Sequence, residues 1–137
     1  MSQTVHLALP RLAAEQAQKH VTVNEALGSL DALVQLSAKD RDLAAPPGAP
    51  AEGARYIVAA GPSGAWAGHA GDIAARQEGA WAFYEPREGW RCWVDDENVL
   101  LVFDGAAWVD FASAIGTLQN LTRLGLGAAA DATNPFS

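Results

Sequence analysis

The chain has 137 residues, a formal net charge of −7 and a composition that is half hydrophobic. That length can bury one core, the hydrophobic content is too high for intrinsic disorder, and the acidity argues against a general basic surface for nucleic acid. A single cysteine, Cys92, excludes an internal disulfide.

Residues 1–12 alternate weakly at Val5, Leu7 and Leu9 and stop at Pro10. This predicts an extended arm, or an edge strand pairing with something else. The N-terminus lacks the basic-then-apolar pattern of a secretory signal, and no apolar run reaches membrane-spanning length. Synthesis in the cytoplasm without membrane insertion is therefore expected.

From Ala13 to Ser37 the pattern is helical. Thr22-Val23-Asn24-Glu25 has the spacing of a capping box and predicts a helix beginning near Thr22, with a separate turn before it. Spacings of four, three and four along Val23, Leu27, Leu30 and Val34 form one stripe, and Gly28 would permit a close backbone approach. Two explanations stand for the stripe. It packs on the chain's own sheet, or it is a seam between copies, with His20 and Gln16 as polar positions that fix register. His20, Val23, Leu27, Leu30 and Val34 are the oligomer-interface candidates.

Residues 38–54 read as a linker followed by a turn, held extended by Pro46, Pro47 and Pro50. Arg55 to Ala60 is the first clear strand. Trp66 and His69 fall in a loop rich in Gly and Ala, and Gly71 to Arg76 is expected to be a strand. From Gln77 to Phe111 short aromatic and β-branched runs alternate with turn signals, which predicts an antiparallel meander completing a sheet of five or six strands. Asp104-Gly105 is its best hairpin signal. After Phe111, Ile115, Leu118, Leu121 and Leu124 recur every three residues among glycines, which reads as a connector. The expected fold is α+β: an N-terminal arm and helix over 1–43, a Trp-rich antiparallel β domain over 44–111, and a connector over 112–137.

No phosphate-binding glycine motif, nucleophile elbow, HExxH or calcium-loop pattern occurs. His6, His20 and His69 lack metal-ligand spacing. No catalytic residue, metal or cofactor is expected. Asp95-Asp96-Glu97 reads as a cluster of solvated turn acids, with a calcium site as the alternative. Glu85 and Glu88 read as solubilising carboxylates, with a hydrolase pair as the alternative. Cys92 reads as a small apolar residue of a strand.

The five tryptophans also carry two explanations. A small, alanine-rich sheet needs large side chains to build a core, whereas rings exposed on a sheet offer faces on which sugars stack. Strand alternation places Trp90 and Trp93 on opposite faces. Trp66, in a loop, and Trp90 are the candidate glycan contacts.

QAQKHVTVNEAL at 16–27, PPGAPAEGARYIV at 46–58 and GAWAFYEPREGWRCWV at 79–94 resemble one family. It is the uncharacterised domain of alphaproteobacterial prophage and gene-transfer-agent tail-fibre and head-spike proteins. The resemblance covers roughly residues 7–111, and LGLGAAADATNPFS at 124–137 resembles that family's lead into a distal module. It implies a trimeric, non-enzymatic virion component that docks on capsid or tail proteins and contributes to host-surface attachment. The alternative function is a carbohydrate-binding module that recognises capsular or cell-surface polysaccharide directly.

Overall fold

A computed structural model of the chain describes residues 2–12 and 19–116. Helix α1 (Lys19–Leu33) is followed by seven strands: β1 (Ser37–Ala38), β2 (Arg55–Ile57), β3 (Ile73–Gln77), β4 (Ala80–Tyr84), β5 (Arg91–Val94), β6 (Val99–Phe103) and β7 (Trp108–Asp110). A one-turn helix, α2 (Phe111–Ala114), closes the described part. The α+β class is as expected, and the meander is present from β3 onward.

The single sheet is not. The strands form two sheets, one of order β2-β3-β4 and one of order β1-β5-β6-β7. All pairings are antiparallel except β1 with β5, which is parallel. The meander divides at Glu85–Trp90, where the chain leaves the first sheet and enters the second. Pro86 cannot donate to a ladder, and it sits buried at this crossing.

Three hairpins show why the turns form where they do. Glu78-Gly79 joins β3 to β4, since Gln77 pairs with Ala80. Both turn residues have positive φ, 51° and 76°, the conformation that matches the twist of a two-residue hairpin. A glutamate in the left-handed region is held there because the Glu52 carboxylate accepts the N–H groups of Glu78 and Gly79. At the β6–β7 turn, Asp104 Oδ1 accepts from the N–H of Ala106 and Ala107, both at 2.8 Å. That is the hairpin predicted from Asp104-Gly105. Asp95 to Asn98 forms the β5–β6 turn.

Alternation along the first sheet feeds two cores. Ile57 and Ile73 point to one side and join Leu36, Ala38, Cys92, Val94 and Leu101 between the two sheets. Tyr56, Val58 and Ala74 point to the other side and pack with Trp66, which ends a short 3-10 turn (Gly64–Trp66). Because β2 is buried on both faces, it carries no polar alternation.

Residues 38–54 are not a free linker. Lys39 N–H donates to Arg55 carbonyl at 2.8 Å, Ile57 N–H to Asp40 carbonyl at 3.1 Å, and Ala59 N–H to Leu43 carbonyl at 2.9 Å. The stretch runs beside β2 and offers mainly carbonyls, which suits a proline-rich segment short of donors. It joins α1 and β1 to the β region, and the two share one core.

α1 also departs from expectation. Thr22 lies inside the helix, so the capping-box pattern is not used as a cap. The Asn24 side chain instead accepts from Leu12 N–H at 2.9 Å and donates to Leu12 carbonyl at 3.1 Å. The helix ends after Val34 N–H bonds Leu30 carbonyl at 2.9 Å, where Gln35 turns left-handed with φ of 55°. The arm is not extended either. Gln3 bridges Pro10, and Thr4 and Leu9 pair through backbone and side chain, so the segment folds back on itself and docks on α1.

Candidate functional site

Two faces of α1 have different fates. Gly28, Asp31 and Ala32 face inward and are buried. Gly28 carbonyl accepts from Gln77 Nε2 at 2.8 Å, and a Cβ on Gly28 would stand 3.3 Å from Gln77 Oε1. The predicted close approach is therefore to a side chain of β3, not to another backbone. At the helix end, Arg55 Nη1 donates to Ala32 carbonyl at 2.8 Å and Nη2 to Ser37 Oγ at 3.1 Å. A cation placed on the last carbonyls complements the negative end of the helix dipole.

A neighbouring face, about a third of a turn round the helix, carries the apolar stripe. Val23 is 40 % exposed, Leu30 51 % and Val34 42 %, while Leu27 is half-buried. The side chain of His20 lies outside the described residues. Four interface candidates thus lie along one stripe that ends just past α1, three of them well exposed, while Gln77 of β3, Arg55 of β2 and the N-terminal arm bond the helix at Gly28, Ala32 and Asp31.

Beside the C-terminal end of this stripe lies a groove of about 750 Å³, lined by Val34, Gln35, Trp90, Arg91, Trp93 and Leu100 among others. Trp90 precedes β5 and is half-buried, so strand alternation does not separate it from Trp93, and both indoles line the same groove. Trp93 is 41 % exposed. It was not among the candidate glycan contacts, although alternation around the buried Cys92 and Val94 points it outward. Trp66 corrects the sequence-based expectation in the other direction. It is fully buried, 5.5 Å from the Tyr56 ring and 5.2 Å from the Trp81 ring between centroids. A loop position does not expose it, because the 3-10 turn folds it inward onto β2 and β3. No sugar can stack on its face.

Polar clusters are few. Asp40, Asp42 and Asp96 bring one carboxylate oxygen each within 4.8 Å of one another. These are the residues that could meet a cation, but a calcium ion takes six or more oxygens, and two of the three acids are fully exposed. The Asp96 carboxyl is pushed up by desolvation and then by the Asp40 charge. The acidic turn expected as a unit is split, since Glu97 pairs bidentately with Arg41 at 2.7 and 2.8 Å and its carboxyl is held down by that bond. His69 Nδ1 lies 3.0 Å from Asp72 Oδ2, and its ring stacks on Phe83 with 3.6 Å between centroids. Glu85 and Glu88 are both exposed at the crossing between sheets. Cys92 is buried, and burial pushes its thiol up to about 12. No helix among the described residues is long and apolar enough to cross a membrane.

Comparison with known proteins adds the family. Residues 23–109 match the family described as a protein of unknown function, DUF2793. The chain belongs to that family. The matched span opens at Val23, the first residue of the exposed stripe, and closes at Val109 in β7, so the DUF2793 region contains both sheets, most of α1 and the Trp90–Trp93 groove. The folded-back arm and α2 lie outside it. No curated protein matches the chain.

Proposed function

We propose that this DUF2793 chain is a non-enzymatic structural component of a phage-like particle, a fibre or spike subunit that assembles as a homotrimer through the outward face of α1. The observation that carries this is the exposed row Val23, Leu30 and Val34 on a helix whose buried residues Gly28, Asp31 and Ala32 are already bonded by β3, the arm and β2. Val23 and Leu30 are seven apart, as are Leu27 and Val34, so the row repeats as the alternating seam positions of two heptads. Such a row pairs with itself. The resemblance of the 16–27, 46–58 and 79–94 segments to prophage and gene-transfer-agent fibre and spike proteins supplies the particle, the trimer and the capsid or tail partner.

In this reading the two sheets form a collar, or part of a host-surface adhesin, and no cofactor takes part. The chain is made in the cytoplasm and incorporated into the particle there. Sedimentation velocity of the purified chain tests the assembly, with a trimer expected for wild type and a monomer for Leu30→Glu. Antibody labelling of purified particles in negative stain tests the location. A chain that remains strictly monomeric at micromolar concentration, or particles that carry no label, would overturn the proposal.

A further inference from the structure

We infer that the groove beside the end of α1 is the second half of the same assembly surface, covered by another copy of this chain with Trp93 as the anchor. The inference rests on α1 being a seam between copies. It extends that seam onto the four-stranded sheet.

The register shows a sheet whose outward face is largely apolar. Cys92, Val94 and Leu101 point into the core, so Arg91 and Trp93 on β5 point the other way. Leu100 lies opposite Trp93, Val102 opposite Arg91, and Val109 opposite Val102. An antiparallel sheet with one solvated face ordinarily alternates apolar with polar residues. Here the outward face reads Arg91, Trp93, Leu100, Val102 and Val109, one charge among four apolar residues, and Trp93 stands 41 % exposed.

Three observations choose a second copy as the cover. Val34 ends the α1 stripe and also lines the groove, so the two apolar surfaces are continuous. A helix packed against α1 stands 8–10 Å away axis to axis and is about as thick, so any copy seated on the stripe also overlies what borders it. A stable interface needs roughly 1,000 Å², and the groove adds surface to a seam that is only two heptads long. Finally, Arg91 is the one charged side chain lining the groove among the described residues, in a chain of net charge −7. A groove free of carboxylates is where another acidic copy meets least repulsion. A tryptophan central to such a surface carries a disproportionate share of the binding energy.

The test is sedimentation velocity and mass photometry across a dilution series of the full chain, comparing wild type with Leu30→Glu, Trp93→Ala and Arg91→Glu. Trp93→Ala is expected to weaken assembly by at least about 30-fold, and Arg91→Glu, which places an acid in the groove, to weaken it as well. Far-ultraviolet dichroism should be unchanged in both, because each side chain is exposed. Indole emission should shift to shorter wavelength on assembly, and Trp93→Phe should reduce that shift, leaving the part that comes from Trp90. If Leu30→Glu dissociates the oligomer while Trp93→Ala and Arg91→Glu keep the wild-type dissociation constant, the groove proposal falls and the α1 seam stands. A wild-type chain that is monomeric throughout sinks both. A Trp93→Ala chain that assembles normally but loses binding of polygalacturonate oligosaccharides would assign the groove to sugar and overturn the inference. If Trp93→Ala does not fold, Arg91→Glu alone decides.

Discussion

The buried carboxylate of Asp31 accepts the backbone N–H of His6 on both oxygens, at 3.0 and 2.9 Å, so a residue of α1 holds the start of the chain in place. Leu7 N–H donates to Oδ1 at 2.5 Å, and His6 Nε2 lies 2.6 Å from the Gly53 carbonyl. The arm is held by its own helix and its own β region.

Burial pushes the Asp31 carboxyl up, but the bonds from His6, Thr4 and Leu7, with the charge of the His6 ring, outweigh it and the net displacement is downward. A carboxyl whose folded value lies below its unfolded value stabilises fully above the ordinary carboxylate range and loses that contribution as pH falls through the folded value. Asp31→Asn should therefore cost about 1.5–3 kcal/mol at pH 7, the range for hydrogen bonds to a charged group. The gap to wild type should narrow as the medium is acidified below the ordinary carboxylate range. Urea unfolding midpoints at neutral and acidic pH check both parts, and a gap independent of pH would count against the account.

Arg55 is buried with backbone and hydroxyl acceptors, and its guanidinium is pushed down by burial. Arg55→Lys keeps the charge but cannot span from Ala32 carbonyl to Ser37 Oγ with a rigid fork. A loss of about 2 kcal/mol is expected, with fraying concentrated at the end of α1. Amide exchange at residues 30–36 reads this directly.

Trp66 fills the second core, and its Nε1 has no acceptor among the described residues. Trp66→Ala should cost about 3–5 kcal/mol, as large-to-small core changes do. Trp66→Phe should cost less, since it removes the unpaired N–H together with some volume. Thermal denaturation of the two variants gives the order, and equal losses would contradict it.

A thiol displaced to about 12 in a fully buried site is neither ionised nor reachable at neutral pH. Cys92 should fail to react with Ellman's reagent in the native chain at pH 8 and react fully in guanidinium. Rapid native labelling would mean that β5 opens far more readily than its packing implies.

Local chemistry was legible in the sequence because it acts over a few residues. Asp104 and Gly105 make a hairpin through bonds spanning three positions, and the stripe from Val23 to Val34 follows from helical period alone. The strand beginning at Arg55 and the α+β class were legible for the same reason. Which partner each apolar face would meet was not, since that depends on residues far apart in sequence. The capping box at Thr22 failed because the helix runs through it, and a tertiary contact with Leu12 engaged Asn24 instead.

Patterning of apolar and turn residues thus marked the strands from β2 onward, their turns and the presence of the helix, since periodicity and backbone preference are properties of neighbours along the chain; the helix start and β1 were not marked. Tertiary packing alone settled that the strands split into two sheets, that residues 38–54 run alongside β2, that Trp66 is sealed while Trp93 stays open, and that α1 turns Gly28, Asp31 and Ala32 inward and Val23 and Leu30 out. Those outcomes depend on competition among surfaces for burial. The face with small residues could approach β3 closely, anchored by Gln77, Arg55 and the arm, and that left the larger side chains outside.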